Sequence, residues 1–396
     1  MLPGWFEEDH AALFETASRF ARERGLPALE RWRRQRRVDA DFFREGGRLG
    51  LWCCALEEDL GGGGGGIAHD FAVIDAIARA GISPAPFQVH SVIVPAYLRD
   101  YGSPELKQRL LPAMARGELI GALAMTEPDT GSDVQAIRTT ARRDGDHYVL
   151  NGAKTFITNG SIAGVIVVAA STDREAGGRG LSLFVVETAG LDGFSVPRVL
   201  EKMGHHESDT AELSLVDVRV PAVNLLGTEG HGFAMLKKQL PTERLIVAVT
   251  ATAAIEDMVR ETTAYANTRK TFGRPLIEHQ NVKFRLAECA TTAFVARTTL
   301  DACVTRLLTG DLDDVAAAMT KFWFSEAEQK VADTCLQIHG GYGYMDEYSI
   351  SHRYTAARAQ RIYGGANEIM LEIIGRSLTR TRPVAEPAPP ARGMAR

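Results

Sequence analysis

HYVLNGAKTFITNG, residues 147–160, marks a change of period along the chain. Two short runs rich in β-branched and aromatic residues flank Asn151-Gly152, a pair that readily takes the positive φ angles of tight turns. A β-hairpin turning at Asn151-Gly152 is therefore predicted. Further β-rich runs follow at GVIVVAAST (164–172), GLSLFVVE (180–187) and TAELSLVDVRV (210–220), spaced by Gly, Asp and Pro. Residues 121–228 read as an all-β domain, a barrel or sandwich.

On either side the period is helical. DHAALFETASRFARERG (9–25) and DFAVIDAIARAG (70–81) repeat apolar residues every three or four positions, which predicts an N-terminal helical domain over 1–120. GGGGGG at 61–66 lacks the GK[ST] ending of a phosphate loop and reads as a simple connector. Helical periodicity resumes in FAMLKKQLPTERLIVAVTATAAIEDMVRETTAYA (233–266) and LAECATTAFVARTTLDACVTRLL (286–308), predicting a four-helix-bundle-like domain over 229–380. The Pro- and Arg-rich ending, 381–396, has little apolar surface to bury and is predicted to be disordered. The fold class expected is α+β multidomain, in the order α, β, α.

Composition narrows the function classes. Of 396 residues, 45% are hydrophobic and 24% charged, as in soluble globular proteins. No apolar run approaches the roughly 20 residues that a bilayer requires. With 45 basic and 50 acidic residues the net charge is −5, so nothing global draws the chain to nucleic acid or anionic lipid. The local cluster Arg31, Arg33, Arg34, Arg36 and Arg37 reads as a solvated helix end. Five cysteines form no CxxC pair, His205 and His206 lack ligand partners at metal spacing and read as surface loop, and no metal is expected. No export signal is visible near Glu7, Glu8 and Asp9, which makes a cytoplasmic location the default expectation.

Chemistry-bearing residues concentrate in a few motifs. AMTEPDTGSDVQA (124–136) sets hydroxyls and free amides in a Gly-containing turn, suited to a polar ring edge or a pyrophosphate. LPTERLIVA (240–248) places Glu243 and Arg244 inside an apolar helical run. On a helix Glu243 shares a face with Ile246, Val247 and Thr250, so its carboxylate leans toward the apolar side. Burial there raises the pKa and strengthens a base. A buried Glu243–Arg244 pair is the structural alternative.

Together with KTFITNG (154–160), RKTFG (269–273), His279-Gln280, QIHGGYGYM (337–345) and RIYGGANEIM (361–370), these motifs give a chain that, over residues 5–378, resembles the acyl-CoA dehydrogenase flavoproteins. Within them it is most similar to the long-chain and isovaleryl branch, which shares the PTER-like pair and the HSxIV-like segment His90–Val94. The resemblance implies an FAD enzyme that desaturates an acyl-CoA thioester between Cα and Cβ. It implies Glu243 as the base, since the medium-chain relatives' C-terminal glutamate is matched here by Gly364, whose amide would bind the thioester oxygen. It carries Met125, Thr126, Gly131 and Ser132, then Phe156, Ile157 and Thr158, to the flavin, with Ala366 and Glu368 near it. It carries Ser132, Arg244, Tyr363, Gly364 and Gly365 to the substrate. Arg269, Thr271, Phe272, Gln280, Gln337, Gly340 and Gly341 match positions reaching the FAD of a neighbouring subunit, so a homotetramer built of dimers is implied. An electron-transfer flavoprotein is the implied acceptor.

Three departures stand out: Phe156 for the commoner tryptophan, Ala366 for a usual threonine, and His206 for a usual basic residue. Looser flavin binding is expected. Chain length and branching are not legible, and a thioester on a carrier protein, an O₂-reducing oxidase and a non-catalytic DNA-associated flavoprotein remain as alternatives. The glycines of QIHGGYGYM do not follow a strand in a βαβ unit, which excludes a dinucleotide fingerprint.

Overall fold

The computed structural model describes residues 3–380, so the tail expected at 381–396 lies outside the described residues. Seven helices come first: α1 Glu8–Phe20, α2 Leu29–Gln35, α3 Ala40–Arg48, α4 Ile67–Arg79, α5 Ala85–Phe87, α6 Val94–Tyr101 and α7 Pro104–Ala115. Their start and stop signals are local. Ser103 caps α7 by accepting from the Leu106 amide at 3.2 Å, and Pro104 occupies the first turn, where its missing N–H costs nothing. An aromatic cluster welds the block together, with Trp52 and Phe87 stacked at 5.1 Å, Phe42 and Phe43 against them, and Trp32 packed edge-on to Phe42.

The glycine run is more than a connector. Gly64 and Gly65 donate to the carbonyls of Leu56 and Cys54, and a Cβ on Gly62 would lie 2.2 Å from Leu56 O, so the loop is packed against 54–56. Small size is required there.

Seven strands follow: β1 Gly121–Ala124, β2 Thr140–Asp144, β3 His147–Thr158, β4 Val165–Ser171, β5 Leu181–Glu187, β6 Phe194–Val199 and β7 Thr210–Pro221. They form one curled sheet in which β4 pairs with β5 on one edge and with β1, then β2, on the other, and β2-β3-β7-β6 continue antiparallel. Every residue of β4 is buried, because its alternate side chains enter two cores. Val165, Val167 and Ala169 join the helical core, while Ile166, Val168 and Ala170 fill the concave side of the sheet.

The hairpin expected at Asn151-Gly152 is not there. β3 runs straight through, and the register Asp144↔His147 puts the turn at Gly145-Asp146, with Gly145 at φ 63°. Asn151-Gly152 forms a bulge against β7. Gly152 passes so close to Thr139 that a Cβ would sit 2.3 Å from its Oγ1, and Asn151 exchanges two hydrogen bonds with Asp217. Positive-φ chemistry serves a bulge as well as a turn, so the pair alone could not distinguish them.

The last block holds α8 Gly232–Thr268, the short strands β8 Lys270–Thr271 and β9 Arg274–Pro275, α9 Gln280–Leu308, α10 Asp314–His339, α11 Ser349–Gln360 and α12 Asn367–Arg380. α8 carries Pro241 in its interior, which leaves the Lys237 carbonyl without its usual helical donor. The His205-His206 segment is not a free surface loop. A Cβ on Gly204 would lie 2.8 Å from Thr355 of α11, and buried Glu207 accepts from the Ser83 amide, so the segment joins sheet to helices. No helix among the described residues is long and apolar enough to cross a membrane.

Candidate active site

Glu243 lies at the start of the fourth turn of α8, where Ile246, Val247 and Thr250 on its face are all buried, as the helical period required. Half-buried itself, it lines a cavity of about 220 Å³ with Val92, Ile93, Pro95 and Ala96 at the entry to α6. That stretch includes a π turn over Gln88–Ile93, a distortion that often accompanies functional sites. Within it, His90 is fully buried and pushed down to about 3 by burial, so it stays neutral and accepts from the Gly121 amide at 3.3 Å.

The cavity's other polar side chains, the Thr242 hydroxyl apart, are engaged with the protein. Asp70 accepts from the Cys54 and Ala55 amides and from the Ser91 hydroxyl, while Arg99 and Gln239 both donate to Asp100. What remains for a guest is mainly apolar surface plus the Glu243 carboxyl.

Burial raises that carboxyl from 4.5 to about 7, opposed by a hydrogen bond from Tyr97 and by the charge of Arg244. The Glu243–Arg244 pair considered from sequence does not form. Arg244 points the other way, donates to the Asp314 carbonyl at 3.5 Å, and lines a separate cavity of about 700 Å³ with Lys237, Arg376 and Gln135. A carboxyl raised in the folded state contributes stability below its unfolded value near 4.5, and that contribution is lost as pH rises through about 7. Proton abstraction by Glu243, the role that the sequence resemblance implies, would have the opposite slope. Single-turnover flavin reduction is expected to rise with pH, reach half its maximum near 7 and fall about tenfold per unit below it; a flat profile from pH 5.5 to 9 would contradict this.

Gly364, in the C-terminal block, packs against α8 near Glu243's helical face. It sits at φ 65°, and a Cβ built on it would point to Val247 Cγ2 at 3.6 Å, one helical turn from Glu243. Gly365, at φ 91°, has no such room, because a Cβ would meet Met370 Cε at 2.8 Å. This turn is held by Asn367, whose side chain bonds Lys321, Ser325 and Glu326. Tyr363 is half-buried beside it, its phenol raised by burial and by the charge of Glu328. Ala366 precedes α12 without a capping hydroxyl, and Glu368 lies exposed in the helix's first turn.

The loop carrying Met125, Thr126, Gly131 and Ser132 is fastened to β3 by an ion pair that sequence reasoning missed. Lys154, fully buried, donates to the Met125 carbonyl at 3.0 Å and to Glu127 at 2.8 Å, and Glu127 also accepts from the amides of Arg138 and Thr139. Burial lowers Lys154 to about 8 against the pull of Glu127. Thr155 donates to the Thr126 carbonyl, completing the joint.

Just beyond, β3 shifts register between Lys154 and Ile157, and Phe156 takes φ 60°. The bulge turns the Phe156 ring outward, 65% exposed, while Ile157 is buried in the sheet's own core and offers only backbone. Gly131 and Ser132 are exposed beside Thr126 and Thr158, both half-buried. A flat aromatic face, a hydroxyl-rich loop and strand-edge amides fit a flavin ring.

A second group gathers far from Glu243 in the chain. Arg269, Thr271, Gly340 and Gly341 line a cavity of about 570 Å³ with Tyr265 and Tyr342, and Arg269 lies over the Tyr342 ring at 5.4 Å. Phe272, Gln280 and Gln337 are exposed outside that lining, Phe272 almost completely.

Three metal-capable side chains also meet, Asp9, His10 and His69. Helix capping accounts for them: the Nδ1 atoms of His10 and His69 accept from the Glu7 and Gly66 amides, and Asp9 takes His69 Nε2 at 3.0 Å.

The chain matches the N-terminal, middle and C-terminal domain models of acyl-CoA dehydrogenases over residues 7–118, 122–218 and 230–379. It is 42% identical to the mitochondrial long-chain specific acyl-CoA dehydrogenase of Rattus norvegicus, across 94% of this chain and 87% of that protein. The chain belongs to the acyl-CoA dehydrogenase family. The crystal structure of an acyl-CoA dehydrogenase from Geobacillus kaustophilus superimposes with a TM-score of 0.93 at 41% identity, covering 95% of this chain and all of that one. An acyl-CoA dehydrogenase complexed with FAD from Bacillus anthracis gives 0.89 at 30% identity, covering 96% of this chain and 68% of that one. Like the family, the chain is an FAD-dependent flavoprotein oxidoreductase acting on acyl-CoA.

Proposed function

We propose that the chain desaturates an apolar acyl-CoA between Cα and Cβ with Glu243 as the base. The observation that carries this reading is a carboxyl raised to about 7 on a mainly apolar cavity, with the Gly364 bend packed against Val247, the residue one helical turn further along α8. The acyl chain enters the cavity between α6 and α8, and the thioester lies between Glu243 and Gly364. Glu243 takes the α-proton; the Gly364 amide donates to the thioester oxygen as it gains charge, a contact that strengthens in the transition state. Bound FAD supplies the acceptor for the hydride that leaves Cβ. The electron pair of the broken Cα–H bond becomes the Cα=Cβ double bond.

The cations Arg244, Lys237 and Arg376 on the larger cavity suit the phosphates of CoA, which favours CoA over a carrier-protein thioester. Arg269, Gly340 and Gly341 complete the cofactor site of a second copy in a homotetramer, and electrons leave to an electron-transfer flavoprotein.

Anaerobic flavin bleaching across acyl-CoA, acyl-pantetheine and carrier-protein thioesters tests the reading. Acyl-CoAs of unsubstituted chains are expected to bleach best, and bleaching by none of the panel would refute desaturation. Lys237→Ala should weaken acyl-CoA binding about tenfold, the worth of one charge-assisted hydrogen bond, and leave acyl-pantetheine unaffected. Equal weakening of both would remove Lys237 from phosphate recognition.

A further inference from the structure

The only hydrogen bond recorded for the Glu243 carboxylate among the described residues comes from another domain. Tyr97, on α6, donates its phenolic O–H to Glu243 Oε1 at 2.9 Å, and its ring is completely buried. Resting on the proposed role of Glu243, we propose that Tyr97 is a positioning residue for the base, pinning Oε1 so that Oε2 alone faces the cavity to receive the proton.

The chemistry suits a donor that never ionises. Burial and the charge of Glu243 both raise the phenol well above its ordinary value, so Tyr97 keeps its proton at any working pH. Oε1 can accept from Tyr97 both while Glu243 is an anion and after Oε2 has taken the substrate proton, so the bond survives the step. It stabilises the anion more than the acid, which offsets part of the desolvation. Without it the carboxyl would be a stronger base that is protonated, and idle, over more of the neutral range.

The charged groups nearby are engaged elsewhere, and the buried Cys53 thiol is pushed up by burial and stays neutral. α4 presents Asp70, bonded to the Cys54 and Ala55 amides and to Ser91; α6 presents Arg99, held by Asp100; α9 contributes Leu307. Arg244, next along α8, acts on Glu243 through charge alone and carries its guanidinium toward Asp314. Tyr97 thus links the wall of the acyl cavity directly to the base, since Pro95 and Ala96 of the first turn of α6 line that cavity.

The test is Tyr97→Phe in the flavin-loaded protein, which keeps the ring and removes the hydroxyl. Single-turnover flavin reduction is followed from pH 5.5 to 9.5 with saturating acyl-CoA. The acid limb is expected to move up by about one pH unit, the scale of a hydrogen bond to a charged group. The rate should return to within a few-fold of the parent at the alkaline plateau, with acyl-CoA binding unchanged. A limb that stays in place, whether or not the rate falls uniformly, overturns the proposal.

An infrared titration of the carboxyl band that Glu243→Gln abolishes gives the same shift without turnover. Tyr97→Leu, scored by that band, serves should the phenylalanine variant fold poorly, since it too removes the donor, and a midpoint equal to the parent's overturns the proposal there too. Were Glu243→Gln to reduce its flavin normally, the base assignment itself would fail. Loss of reduction in Glu243→Gln beside an unmoved limb in Tyr97→Phe would fault the role of Tyr97 alone.

Discussion

Glu243→Gln is expected to keep its flavin and to lose substrate-driven reduction by about 10²-fold to 10⁴-fold, the usual share of a general base. The amide matches the carboxyl in size, and Tyr97 can still donate to its oxygen, so the cavity and the Gly364 turn should persist. Because a proton acceptor acts only in the transition state, acyl-CoA binding to the oxidised protein should change little while the reduction step slows. The variant should also outlast the parent on heating above pH 7, where it no longer buries an anion.

Gly364→Glu added to this variant should restore part of the rate. Its Cβ meets only Val247 Cγ2, at ordinary contact distance, so a longer side chain has room to start toward α8. The left-handed backbone at φ 65° sets the penalty, about 1–2 kcal/mol for a residue with a side chain. Normal turnover by Glu243→Gln would refute the assignment, and a double variant no better than the single would place Gly364 out of reach of the α-carbon.

Lys154→Met should be the most damaging single change outside the cavity. It strands Glu127, 5% exposed, with its counter-charge gone, and releases the Met125 carbonyl. Removing one partner of a buried pair typically costs about 3–5 kcal/mol. The damage falls on the loop that presents Thr126, Gly131 and Ser132, so the melting temperature and the flavin content should drop together. Glu127→Gln in the same chain should recover part of both, since it removes the stranded charge. Full flavin content and an unshifted melt in Lys154→Met would show that the loop is fixed by something else.

The order of helices and strands was legible because each block repeats its own period over many residues, and the face on which Glu243 lies follows from helix geometry alone. Asn151-Gly152 misled because its positive-φ preference serves a bulge in a long strand as readily as a turn. The partners that complete the site were illegible for a different reason. Tyr97 reads as one more apolar position of α6, and its hydroxyl gains meaning only from a carboxylate 146 residues away. Lys154 sits inside a motif noticed for its neighbours, yet its partner Glu127 is 27 residues off, on a loop whose path no local pattern predicts. The cations of the larger cavity, Lys237 and Arg376, come from α8 and α12 and meet only in three dimensions.

The bond between α6 and α8 has a bearing on how the enzyme dies when warmed. On the proposed reading the base on α8 and its donor on α6 come from two helical blocks, whereas the all-buried β4 is anchored through its own inner core as well as theirs. Regions of a protein open at different free energies. A slight parting of the two blocks would silence the enzyme while its sheet still stood, so heat inactivation should run ahead of the loss of β structure.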